Sequence, residues 1–99
     1  MIDLTKQEIT SAMTDKDRFI LYLYTPFCGT CQLAKRMLTI VEETLPDLEL
    51  YSSNLNYLPE QAAAWEIESV PCLLIFQNGK PTDKVYGFQS VEYLYNLLK

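Results

Sequence analysis

The chain has 99 residues, of which 48% are hydrophobic, and 13 acidic against 8 basic side chains leave a net charge of -5. That length predicts one domain over residues 1–99, with a core that needs no disulfide staples. The acidic balance argues against nucleic acid or an anionic membrane as partner. The absence of histidine removes Cys–His and Ser–His–Asp catalysis and any zinc site that needs imidazole.

The start, Met1-Ile2-Asp3-Leu4-Thr5-Lys6-Gln7-Glu8, is polar and lacks the basic start and apolar centre of a signal peptide. No apolar run approaches the length of a membrane span. The expected address is the cytoplasm and the expected state a monomer. Thr5 opens the first helix, with Glu8 completing a capping box, and Leu4, Ile9, Ala12 and Met13 form its apolar side. Phe19 to Tyr24 is an unbroken apolar run that reads as a central strand covered on both faces. After the cysteines, Leu33, Met37, Ile40, Val41 and Thr44 recur at helical spacing. Ala34, Leu38 and Leu45 line an adjacent stripe, so this helix should be buried over a wide arc. Pro46 stops it.

Leu48 to Ser52 reads as the next strand and Asn54 to Tyr57 as a loop. Pro59 suits the first turn of a short helix from Glu60 to Trp65. Cys72 to Phe76 is a second buried strand. Asn78-Gly79 is a hairpin turn signal, and Thr82 to Tyr86 is the return strand. Val91, Leu94, Tyr95 and Leu98 define an amphipathic closing helix. The order α-β-α-β-α-β-β-α predicts an α/β domain with a mixed sheet.

The chemistry concentrates in Cys28-Gly29-Thr30-Cys31, between a buried strand and a helix. A free thiol has a pKa near 8.5, so little of it is the reactive thiolate at neutral pH. The unpaired N–H groups and dipole of a helix N-terminus favour that thiolate. Cys28 is therefore the candidate nucleophile and Cys31, one turn on, the candidate resolving thiol. Gly29 permits a tight turn and close approach of a substrate, and the Thr30 hydroxyl sits inside the motif. Such a pair also serves zinc and iron–sulfur sites, or is inert. A metal site here would need Cys72, the remaining thiol, with a carboxylate or a partner chain.

The run from Phe19 to Cys31, then Val70-Pro71, Asn78-Gly79 and Gly87, resembles the thioredoxin family in order and spacing, from about Thr5 to the end of the chain. The resemblance implies a thioredoxin fold: a mixed four-stranded sheet flanked by helices, its N-terminal strand short or missing, with Cys72 held close to the dithiol. It implies a cis Val70–Pro71 bond beside the dithiol, with Val70, Pro71, Phe27 and Gly87 joining Gly29 and Thr30 as substrate-contact candidates. The chain departs from the family pattern at five places. Phe27 replaces a tryptophan, Thr30 a proline, Tyr22 a buried acid and Ser52 a lysine, and the first strand is missing or reduced to Met1–Asp3.

The expected function is that of a thiol–disulfide oxidoreductase that reduces protein disulfides through Cys28 and Cys31. A reductase or a low-molecular-weight thiol supplies the electrons, and no cofactor is expected beyond the redox disulfide itself. No nucleotide fingerprint is present. The alternatives are a redox-weak binding module with the same fold, or a metal-bridged dimer through Cys28, Cys31 and Cys72.

Overall fold

The computed structural model describes residues 1–99. Its elements are β1 (Ile2–Asp3), α1 (Lys6–Asp15), β2 (Arg18–Tyr24), α2 (Gly29–Thr44), β3 (Leu50–Asn54), α3 (Pro59–Ala64), β4 (Cys72–Gln77), β5 (Lys80–Val85) and α4 (Val91–Leu98). A single 3-10 turn, Leu55–Tyr57, fills what the sequence marked as loop. The strands form one sheet in the order β1-β3-β2-β4-β5. β1 and β3 run parallel, as do β3 and β2, whereas β4 and β5 are antiparallel to their neighbours. The sheet therefore has five strands, not the four expected. Ile2 and Asp3 pair with Tyr51 and Ser52, and the Leu4 N–H continues the ladder to the Ser52 carbonyl at 2.8 Å. Two residues are too few to carry an alternating pattern, so only their pairing reveals this strand.

The period of two along β2 distributes its side chains to two cores. Ile20 and Tyr22 face Ala34, Leu38, Val41, Leu94 and Leu98, the cluster beneath α2 and α4. Phe19, Leu21 and Leu23 face Ile9 of α1 and Leu58, the cluster on the other side of the sheet. The β4 strand alternates in the same way, Leu73 and Ile75 to the first cluster, Cys72, Leu74 and Phe76 to the second.

Local signals set the helix ends. Thr5 Oγ1 accepts the Glu8 N–H at 3.2 Å, and the Glu8 carboxylate accepts the Thr5 N–H at 2.9 Å, which completes the capping box. At the hairpin, Asn78 and Gly79 both have positive φ, 51° and 81°, as a two-residue turn of this hand requires.

The orientation of α2 corrects the sequence reading. Its buried residues are Cys31, Ala34, Leu38 and Val41, whereas Leu33 and Ile40 are 53% and 48% exposed. Two apolar stripes competed for the sheet. The one that won begins with the small side chains of Cys31 and Ala34, which let the helix approach the strands. The third strand also starts later than expected, at Leu50. The chain first makes a turn after α2, closed by the Leu48 N–H on the Leu45 carbonyl at 3.0 Å.

Candidate active site

Strand β2 ends at Tyr24, and Thr25, Pro26 and Phe27 carry the chain to the N-terminus of α2. Cys28 is the N-cap, and its sulfur accepts the Cys31 N–H at 3.2 Å. That is the place where an unpaired helix donor meets a side-chain acceptor. The Thr30 hydroxyl lies 3.5 Å from the same sulfur. Cys28 and Cys31 are joined in a disulfide, with their Cα atoms 5.2 Å apart. The two sulfurs are not equivalent. Cys31 is 4% exposed, while Cys28 is only partly covered.

Phe27 stands fully exposed beside the pair, and its φ is 61°. A left-handed conformation is uncommon for a bulky residue and costs about 1–3 kcal/mol. The sharp turn into the motif is thus made by Phe27 and not by Gly29, which does not have positive φ. A Cβ at Gly29 or at Gly87 would meet no heavy atom within 4 Å. Both glycines border open space.

The topology gathers further sequence-marked residues at this end of the sheet. Leu23 pairs with Cys72, so Pro71 lies just past the strand end from which the dithiol segment leaves. The Val70–Pro71 bond is cis. Val85 pairs with Leu73, so Gly87 emerges at the same end. Cys72 is not brought to the pair. Its side chain belongs to the core on the face opposite α2 and remains a free, buried thiol. One residue of offset from Leu73 is enough to send it there. Burial pushes the Cys72 thiol up to about 11, against smaller opposing effects of Lys84 and Tyr86. No cluster of three or more Cys, His, Asp or Glu side chains is placed to hold a metal ion. The metal-bridged reading therefore finds no support. Trp65 meets Phe76 edge-on at 5.3 Å in the second core.

Tyr22 stands where the family pattern has a buried acid. Its ring is buried, and its hydroxyl donates to the Cys31 carbonyl at 2.5 Å. Burial, then the neighbouring Tyr24, pushes its hydroxyl up to about 12. The phenol is thus a donor at neutral pH and no base. It anchors the first turn of α2 from below.

Beside the disulfide lies a cleft of about 480 Å3, lined by Cys28 and Cys31 and also by Asp3, Tyr24, Lys35 and Ser52. Asp3 Oδ1 accepts from the Tyr24 hydroxyl at 3.0 Å and from Ser52 Oγ at 2.9 Å. Sequence reasoning did not find this group. Asp3 and Ser52 are 49 residues apart, and no local pattern links them.

The family model for thioredoxin matches residues 1–99. The thioredoxin-like protein YusE of Bacillus subtilis (strain 168) is 58% identical over 85 residues, covering 86% of this chain and 80% of the relative. Thioredoxin from Staphylococcus aureus (strain N315) is 34% identical over 79 residues, covering 76% of this chain and 73% of that protein. Among solved structures, chloroplastic thioredoxin z superposes with a TM-score of 0.84 at 20% identity, over 99% of this chain and 90% of its own. A mutant thioredoxin from Halobacterium salinarum NRC-1 gives 0.83 at 22% identity, over 98% and 86%. At those identities the structural matches speak for the fold.

Proposed function

We propose that this chain, which belongs to the thioredoxin family and carries the paired cysteines of a thiol–disulfide oxidoreductase, reduces disulfide bonds in other proteins. The observation that carries the reading is the asymmetry of the pair. Cys28 is the accessible sulfur at the N-terminus of a 16-residue helix, and Cys31 is buried one turn behind it. In the reduced protein the helix terminus stabilises a Cys28 thiolate. That thiolate attacks one sulfur of the partner's disulfide and expels the other as a thiolate, leaving a mixed disulfide. Cys31 then attacks the Cys28 sulfur and releases the reduced partner.

The partner's chain approaches over the open space at Gly29 and Gly87. Exposed Phe27 and Thr30, with half-buried Val70 and Pro71, form the contact rim. A reductase or a low-molecular-weight thiol returns the electrons. The redox disulfide is the whole of the chemistry, without a bound cofactor. We place the activity in the cytoplasm, carried by a monomer. No helix is long and apolar enough to cross a membrane.

The test is turbidimetric reduction of insulin with dithiothreitol as donor. Cys28→Ser should lose the catalysed rate entirely, down to that of dithiothreitol alone. Cys31→Ser should accumulate a mixed disulfide with the substrate, visible by mass spectrometry. Catalysis that survives Cys28→Ser would refute the assignment. A redox-weak binding module would show an ordinary Cys28 thiol and negligible exchange in the unsubstituted protein.

A further inference from the structure

Resolution of the mixed disulfide needs a proton acceptor, because the buried Cys31 thiol must ionise as its sulfur attacks. Tyr22, the group directly below, is held protonated and serves only as a donor. The cleft beside Cys31 supplies another candidate. Its lining includes one carboxylate, Asp3. Register explains how Asp3 arrives there. Asp3 pairs with Ser52, and Ser52 pairs with Tyr22, so the three stand in one row across β1, β3 and β2. Residues so paired point to the same face of a sheet, and Tyr22 faces α2. The acid is thus present on the α2 face of the sheet, two strands away from the strand position that Tyr22 holds.

Its orientation is set by two bonds. The Ser52 and Tyr24 hydroxyls both donate to Oδ1, and no protein group donates to Oδ2. The other titratable groups on the cleft wall are Lys35 of α2, Tyr22 and Tyr24 of β2, Cys28, and the N-terminal ammonium of Met1. The last is engaged by Glu42 at 2.9 Å. Neither ammonium is an acceptor. At about 480 Å3 the cleft has room for several waters, each about 30 Å3. Asp3 is itself exposed, so a captured proton passes on to bulk solvent.

We propose that Asp3 accepts the Cys31 proton, through cleft water, in the resolving step. This rests on the reading of Cys31 as resolving thiol. The Cys31 S–H bond breaks and its electron pair forms the Cys31–Cys28 sulfur bond. The bond from Cys28 to the partner sulfur breaks, and the partner leaves as a thiolate. The partner sulfur is reduced, and the two cysteines end as the disulfide.

The experiment mixes the reduced protein with a chromogenic aromatic disulfide of the dithiobis(nitrobenzoate) type and follows the coloured thiolate by stopped flow. Attack by Cys28 releases the first equivalent, and resolution by Cys31 releases the second. In Asp3→Asn the first release should be unchanged. The second should slow about a hundredfold near pH 7, at the low end of what general-base assistance supplies. The gap should narrow as pH rises, because hydroxide then takes the thiol proton without help from a carboxylate. Asp3→Glu should recover most of the neutral-pH rate. A second release that is unchanged in Asp3→Asn, or slowed equally at every pH, would overturn the proposal. An unsubstituted protein that gives no first release removes the underlying reading, and this one falls with it. Should Asp3→Asn not fold, Asp3→Ser, which also removes the carboxylate, decides by the same comparison of first and second release.

Discussion

Phe27 is the residue at which local cost and proposed use meet. Its backbone is left-handed and its side chain is fully exposed, so it contributes no buried area to offset about 1–3 kcal/mol of strain. Phe27→Gly should therefore leave the melting temperature unchanged or raise it, since glycine adopts this conformation freely. The same variant should slow insulin reduction while leaving exchange with a small disulfide close to normal. A melting temperature that falls by several degrees would show that the ring stabilises the fold. Residue types at the dithiol were legible because a Cys-x-x-Cys between a strand and a helix needs no distant information. The conformation of Phe27 and the hydrogen bond from Tyr22 to the Cys31 carbonyl were not, because each depends on what lies across space from it.

At the scale of elements, legibility followed the strength of the local code. Thr5 and Glu8 announced the start of α1, and Asn78-Gly79 announced the hairpin. Both signals are complete within four residues. Helix α2 was assigned correctly as a helix but with too wide a buried arc: Ala34, Leu38 and Val41 are buried, whereas Leu33 and Ile40 stay half in water. Mutations separate the two stripes. Leu38→Ala, at a position that is 0% exposed, should cost about 2–5 kcal/mol. Leu33→Ala should cost less than about 1 kcal/mol, since half of that side chain is already in water. Urea denaturation of both variants measures this directly. Equal losses would mean that the outer stripe is covered in the native protein.

The whole molecule sets the response to pH. Cys72 and Tyr22 are both buried and both held neutral, Cys72 from an ordinary 9.0 up to about 11 and Tyr22 from 10.0 up to about 12. In each case the unfolded chain gives up the proton first. The stabilising contribution is complete below about pH 9 and is lost as pH rises, through 9.0 to about 11 for Cys72 and then through 10.0 to about 12 for Tyr22. Urea midpoints should fall steeply over this alkaline range. In Cys72→Ala the fall between pH 9 and 11 should be shallower, whatever the starting stability. An identical slope would show that the thiol is not the group responsible.

What this chain's amino-acid order determines by itself is the α/β alternation, most element ends, the thiol pair at a helix start and the family resemblance that the comparisons bear out. These are encoded in spacing, caps and turns, which act over a few residues. Tertiary structure alone decides that Ile2 and Asp3 form a fifth strand, that Cys72 faces away from α2, and that Asp3 and Ser52 meet beside Cys31. Those outcomes depend on strand register, where a step of one residue turns a side chain to the other face of the sheet, and register is settled only when distant segments pair.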